Sequence, residues 1–506
     1  PTAFVAWPAN GNVGAGQSLH LAPFIDVDGD FVYDPFAGDY PDYGFETTVE
    51  DCKNKRREDP VSLFGDNNIY WIFNDKGNIH TETQGEPIGL EVRAQAFSFN
   101  ANDEINNMTF YNYVVINQGS QTLTNTYFGH FIDPDLGCPD DDFVGCDVQR
   151  GFGFCYNWGD VDETCQGGQS IGYGVQPPAV GVDFFEGPYQ DADDMDNPGE
   201  HDNLSCQEYQ QLRGIPYSGL GIGYGDGVVD NERFGMRAFI YFNREGNANM
   251  TDPNNASHFY NYLRSIWKNN RPQSYGGNGY SEDPNAVRAY YMFPWNSDPL
   301  GWGTNCVPQA SWEETEITPN LPDRRFVQSA GPFTLEPGAY NNITVGVVWA
   351  RAGSGGARQS VEPLKVADDK AQALFDNCFK ILDGPDAPDI VIQELDRELI
   401  LYLVNPAGSN NEGERYEEVD PVIPVTGPNG QQYDRKYRFQ GYKVYQLRDA
   451  TVSVNDIDDI NLARLVYQGD VEDGIGQLIN YEVDAYLGLT VPREMGNGSD
   501  TGGVHA

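Results

Sequence analysis

The sequence predicts a mainly β protein: a large antiparallel β-sandwich with long loops and two helices, followed by a smaller β-sandwich. Three observations predict it. Turn-forming residues are dense and spread along the chain, with 57 Gly and 32 Pro in 506 residues, which suits many short strands better than long helices. Segments rich in aromatic and β-branched residues recur with period-two character. Only two segments show clear helical spacing. The length exceeds what one simple core holds. Hydrophobic residues, at 39%, supply enough apolar material for packed cores, which argues against wholesale disorder.

Residues 1–60 are rich in Pro, Gly and Asp, with one basic run from Lys53 to Arg57, and read as an irregular acidic arm. A large β-sandwich domain is expected over 61–383. Its strands begin with IYWIFND, LEVRAQAFSF (90–99), MTFYNYVVIN (108–117) and TNTYFGHFID (124–133). NQGSQTL (117–123), with Gly119 at its turn, reads as a hairpin connection. VGCDVQ, GFGFCYN, FGMRAFIYFN (234–243), GPFTLEPG and NITVGVVWARA (342–352) add further strands. ASHFYNYLRSIWKN (256–269) places Phe259, Leu263, Ile266 and Trp267 at helical spacing. The second helix, 360–382, has Leu364, Ala367, Ala371, Leu374, Phe375, Cys378 and Leu382 in steps of three and four. Ser360 is its expected N-cap, and Pro363 sits in its first turn. GPDAPD (384–389) then breaks the helix and marks a domain boundary. In the last domain, 384–506, Leu399, Leu401 and Leu403 alternate with Ile400, Tyr402 and Val404. Apolar residues on both sides of one strand predict that both of its faces are covered.

Charge limits the function. With 76 acidic and 31 basic residues the net charge is −45, so a nucleic acid or an anionic membrane would be repelled. Bound divalent cations, a salty exterior, or solubility alone would each suit such a surface. No run of 18 apolar residues exists, so no membrane insertion is expected. Eight cysteines without a CxxC, in a chain with six histidines, favour disulfides in an oxidising compartment over a zinc cluster. Cys146 and Cys155 flank the turn at Gln149-Arg150-Gly151 and are the candidate pair across a hairpin. The two ends, Pro1 and SDTGGVHA, read as cuts in a longer polypeptide.

The chemistry candidates are acidic loops. In FIDVDGDFVYDPFAGDYPD (24–42), Asp26, Asp28, Asp30 and Asp34 stand at relative positions 1, 3, 5 and 9 of a calcium loop. Val32 offers a backbone carbonyl at position 7. Phe31 replaces the usual Gly, and Ala37 stands where a bidentate Glu is usual. Asp39 substitutes for that Glu if the loop folds back. A calcium site is the preferred reading over a solvated acidic turn, and no neighbour gives a catalytic pair a role. Phe24, Tyr33 and Tyr40 are expected to pin the loop to the sandwich. Asp133, Asp135, Asp140, Asp141 and Asp142 form a candidate second ion site, and Asp191, Asp193, Asp194 and Asp196 a candidate third, each against a flexible acidic loop. No GxSxG, HExxH or P-loop is present. His80 reads as structural. The aromatic loops SYGGNGY (274–280) and FPWNSDPLGWG (293–303) are candidate binding surfaces, or else buried anchors.

PDAPD, ELILYLVNP and GYKVYQL in the last domain resemble a fibronectin type III unit. WIFND, HTETQGEPIGLEVRAQAFSF, DPDLGCPDDDFVGCD, PPAVGVDFFEGP, FTLEPGAYNNITVGVVWARA and DDKAQALFDNCFKILDGPDAPD together resemble large exported surface proteins of Bacteroidota. That resemblance spans about residues 20–490. It implies the type IX secretion machinery as a partner and an extracellular or outer cell-surface location. The expected function is a non-enzymatic structural or adhesive protein, stabilised by calcium, with other copies or domains of surface proteins as partners. A carbohydrate-binding module or glycoside hydrolase acting on surface glycans is the alternative.

Overall fold

The computed structural model describes residues 2–42, 65–484 and 489–496, apart from 16, 18, 23, 77–79, 100–103, 166–170, 216–220, 244–245, 317–322, 380–383, 420–431, 433, 451, 453–456, 458–459, 473 and 475–477. The arm's expected end at residue 60 and the Lys53–Arg57 run lie outside the described residues. The chain forms two compact units, Pro1–Phe379 and Lys380–Ala506, close to the expected break after residue 383.

Two antiparallel sheets make the core of the first unit. The larger has seven strands in the order Asn67–Asn74, Leu90–Ser98, Met108–Asn117, Tyr340–Ala350, Ala179–Glu186, Phe152–Asn157 and Asp142–Asp147. The smaller has Ala238–Asn243, Arg324–Leu335 and Leu123–Ile132. Alternation sets the faces: Met108, Phe110 and Val114 turn inward while Thr109, Tyr111 and Tyr113 are half-buried. Between the sheets, Phe128 meets Phe184 at 6.3 Å, and Gln328 Nε2 donates to the Val182 carbonyl at 3.1 Å. Gly153 keeps this interface close, because a Cβ there would lie 2.4 Å from Gln328 Oε1.

Strand Ala179–Glu186 sits inside the large sheet yet has a weak strand signal, because Gly181 and Asp183 interrupt it. Gly181 is required by packing: an added Cβ would fall 1.9 Å from the Phe152 ring. The NQGSQTL segment is not a hairpin. Met108–Asn117 pairs with Leu90–Ser98 and Tyr340–Ala350, whereas Leu123–Ile132 pairs with Arg324–Leu335 in the other sheet. Asn117 holds this crossover, its Nδ2 donating to the Gln121 and Leu335 carbonyls.

The helices are shorter than their apolar patterns. The first covers Ala256–Tyr262 and the second Val361–Asp376. Ser360 stands at the N-cap of the second as expected, but its side chain makes no capping bond: its Oγ donates to the Pro177 carbonyl and accepts the Ala352 N–H. An unforeseen short helix, Cys206–Gln211, starts with a Ser205/Glu208 capping box.

The candidate Cys146–Cys155 disulfide is not formed, and both thiols are free and buried. The hairpin itself is present, but its register puts Cys146 opposite Gly153 and Cys155 opposite Val144. The two cysteines are therefore diagonal neighbours, roughly 7–8 Å apart between backbones, beyond disulfide reach. The bridges are Cys138–Cys165 and Cys206–Cys306, and Cys378 is also disulfide-bonded.

In the second unit the described strands form four antiparallel hairpins: Asp389–Glu394 with Leu399–Val404, Glu417–Val419 with Lys436–Arg438, Gly441–Leu447 with Ala463–Asp470, and Leu478–Asp484 with Leu489–Gly496. The first hairpin corrects the expectation of two covered faces. Leu399, Ile400, Leu401 and Tyr402 are all exposed, because the strand pairs only with Asp389–Glu394 and no second layer covers it among the described residues.

Candidate functional site

The acidic loop at 24–42 folds on itself through its own carboxylates. Asp26 Oδ1 accepts the Gly29 N–H at 2.7 Å and its Oδ2 the Phe31 N–H at 2.8 Å. Asp39 folds back and is buried, with Oδ1 accepting from Val27 at 2.9 Å and Oδ2 from Asp34 at 2.8 Å. One oxygen each from Asp26, Asp28 and Asp39 lie within 4.8 Å of one another. Asp30 and Asp34 do not join this group: Asp30 accepts the Val32 N–H and Asp34 the Phe36 N–H. Phe31 adopts φ 64°, so the backbone takes the left-handed turn that Gly usually supplies at this position.

The electrostatics match the geometry. The Phe31 N–H, the leading cause, holds the Asp26 carboxyl below its ordinary value. Asp28 is pushed up, by desolvation first and then also by the charges of Asp30, Asp39 and Asp26. Like charges have been gathered, and the donors are all oxygen. Such a set suits a hard divalent cation, with Asp26, Asp28 and Asp39 as the carboxylates that would hold it.

Aromatic anchoring is only partly as expected. Phe24 and Tyr33 meet edge to face at 5.4 Å, and the Tyr33 hydroxyl donates to the Phe4 carbonyl at 2.7 Å. Tyr40, Phe31 and Phe36 are exposed. The loop is pinned to the N-terminal segment, where Asn10 bonds Phe31 and Tyr33. That segment reaches the large sheet through Trp7 on Tyr70, at 5.8 Å, and Arg93 on the His20 carbonyl, at 2.8 Å.

The second candidate site is divided. Asp133 and Asp135 gather with Asp323, not with Asp140, Asp141 or Asp142. Arg325 already supplies a cation there, pairing with Asp133 and Asp323 at 2.9 Å and with Asp252 at 2.7 Å. Asp140 lies beside Cys138 and Cys165, whose sulfurs are joined to each other and offer no thiolate. Asp141 accepts from Asn157 and Asp142 from the Leu136 N–H; burial raises both carboxyls, Asp141 to about 6.

The third candidate site is dispersed into loop building. Asp191 accepts the Thr334 N–H and hydroxyl, Asp193 the Met195 N–H, and Asp196 the N–H groups of Gly225 and Gly227. The facing loop answers through Asp230, which accepts from Asp193 and Asp194. Asp194 itself contributes its backbone N–H to this lacing.

His80 is structural, with its ring nitrogens 2.9 and 2.8 Å from the Gly85 and Asp75 carbonyls. Phe293, Trp302 and Trp312 are buried anchors. Trp302 also borders a feature that the sequence did not reveal, a cleft of about 700 Å³. Tyr127, Tyr290, Arg237 and Arg264 line it as well. These residues are spread from 127 to 302, so no local motif marks them. Tyr127 is pushed up, by burial first and then by Tyr260, while Arg264 and Arg237 both act to lower it. Both guanidinium groups therefore act on one phenol.

No family model and no curated protein matches the chain. Among the described residues no helix is long and apolar enough to cross a membrane.

Proposed function

We propose that this chain is a non-enzymatic, secreted or cell-surface structural and adhesive protein whose N-terminal loop is stapled by calcium. The observation that carries the reading is the convergence of Asp26, Asp28 and Asp39 on a loop whose backbone turns are made by its own carboxylates. A cation there would neutralise the gathered charge and hold Phe24–Asp42 against the segment around Asn10. The disulfides support an oxidising, extracellular setting. The resemblance to type IX secretion cargo suggests the export route, and other copies of surface proteins as partners.

The cleft lends no support to a hydrolase. Its lining includes one carboxylate, Asp191, and both of that group's oxygens are engaged by Thr334. Glycoside hydrolysis usually needs two.

Thermal melts with chelator, with calcium restored, and with an elemental count of bound metal test the staple. Calcium at about 100 times its Kd is expected to add about 2.7 kcal/mol. A melt indifferent to both additions, with no metal retained, rejects the calcium reading.

A further inference from the structure

We propose that the cleft beside Tyr127 binds a carboxylate-bearing sugar unit, of the uronic-acid type found in acidic extracellular polysaccharides. The proposal supplies a ligand class for the adhesive part of the function above. It rests on that part and is independent of calcium.

Arginine pairing is the first support. The chain has 76 acidic residues to 31 basic ones, so carboxylates are abundant. Arg150, Arg233, Arg324, Arg325 and Arg358 all hold one. Arg237 and Arg264, like Arg271, Arg288 and Arg351, do not among the described residues, and of these five they are the two that line the cleft. The Arg237 guanidinium is placed by rings, 5.2 Å from Trp302 and 5.7 Å from Phe234. Arg264 lies 4.2 Å over Tyr260, and it spends Nε on the Tyr260 carbonyl and Nη2 on Asn261. Ring faces hold such planar groups while leaving edge N–H groups to meet an anion.

The lining decides what kind of anion. About 700 Å³ falls within the range of small-molecule sites and far exceeds a lone phosphate or sulfate. Tyr127 and Tyr290 are half-buried and give the lining aromatic surface suited to a ligand with an apolar C–H side. Thr124, Asn125, Gln210 and Asn305 bring neutral hydroxyl and amide groups to the rim, suited to sugar hydroxyls. Arg237, placed by rings, provides the fork that fits a planar carboxylate, and Arg264 adds positive charge; of the other charged groups in the lining, Arg213 pairs with Asp193 and Asp191 is engaged by Thr334. A uronic-acid ring has all three features: an apolar face, hydroxyl edges and one carboxylate.

The test is calorimetric titration of the whole chain with a tetragalacturonate, a neutral galactose tetramer, a sulfated oligosaccharide and a poly-glutamate peptide. Each is run in chelator, so that calcium cannot bridge ligand and protein, and then in calcium. The uronide is expected to bind in chelator at least about tenfold more tightly than the other three. Arg264→Gln and Arg237→Gln are each expected to weaken it by about tenfold or more, Arg264→Gln with a lowered melting temperature as well, because it gives up the contacts with Tyr260 and Asn261. Asn125→Asp guards against misfolding of those variants, because it adds a charge at an exposed rim position with φ 51°, which Asp tolerates. It should weaken the uronide severalfold and spare the neutral sugar. Equal binding of the neutral sugar, preference for sulfate or poly-glutamate, or no binding at millimolar uronide overturns the proposal. Binding in chelator with no calcium effect on melting would keep the cleft and discard the staple; the reverse result would keep only the staple.

Discussion

Phe31 shows how the acidic loop combines a ligand pattern with a misfit residue. A non-glycine side chain in the left-handed region costs roughly 1–2 kcal/mol, and this one is 70% exposed, so burial returns little. Phe31→Gly is therefore expected to stabilise the loop by about 1 kcal/mol or less after the added flexibility of the unfolded chain. Slower proteolysis within 24–42 would show it; faster proteolysis would mean that the exposed ring makes a contact worth more than the strain. Asp28 makes a sharper case. Its carboxyl crowds Asp26 and Asp39, so Asp28→Asn should raise the melting temperature in chelator and lower it in calcium. The same sign in both buffers would remove Asp28 from any ion site. The sequence showed the aspartate spacing but not that Asp30 and Asp34 would serve their own turns, since both roles use the same short carboxylate. Cys146 and Cys155 were misread for a related reason: proximity along a hairpin was visible, but the register that makes them diagonal was not.

At the scale of elements, helix Val361–Asp376 carries a group that its apolar stripe does not announce. Asp368 is buried, and its Oδ1 lacks a hydrogen-bond partner, as does Oδ1 of Asp183 in the strand Ala179–Glu186. Burial pushes both carboxyls well above the ordinary value of 3.8. Asp147 and Asp369 push in the same direction and Arg150 opposes them, while Lys365 pairs with Asp147 at 3.2 Å. The folded state thus holds protons that the unfolded chain releases near pH 4. Between that pH and the raised folded values the unfolded state binds fewer protons, so stability falls as pH rises. Asp368→Asn should flatten this slope and stabilise the protein at pH 7–8 by roughly 1–3 kcal/mol. Denaturant unfolding at pH 5 and pH 8 measures it, and a variant with an unaltered slope would show that the pair does not hold the proton. The element pattern was otherwise largely legible, because period two and turn residues are local signals. Strand Ala179–Glu186 escaped because its glycine answers to Phe152, a residue far away in sequence. Exposure of Leu399–Val404 escaped because alternation reports apolar residues and not what covers them.

For the whole molecule, a net charge of −45 makes any compact state self-repelling, and two cations of different kinds should relieve it differently. Sodium acts by screening, which shortens the reach of every charge to about 8 Å at physiological ionic strength. Calcium also screens, but at Asp26, Asp28 and Asp39 it would bind. Magnesium matches calcium's charge, yet it demands near-ideal octahedral geometry and sheds water reluctantly, so a loop built from bent carboxylate turns should favour calcium. Three melts at equal ionic strength therefore separate the terms. Sodium should raise the melting temperature relative to low salt, magnesium should add little to that, and calcium should add several degrees more. Asp28→Asn should abolish the calcium increment and leave the sodium response intact. Equal increments from magnesium and calcium, surviving in that variant, would mean that the divalent ions neutralise the acidic surface at large and that the loop at 24–42 is only one part of it.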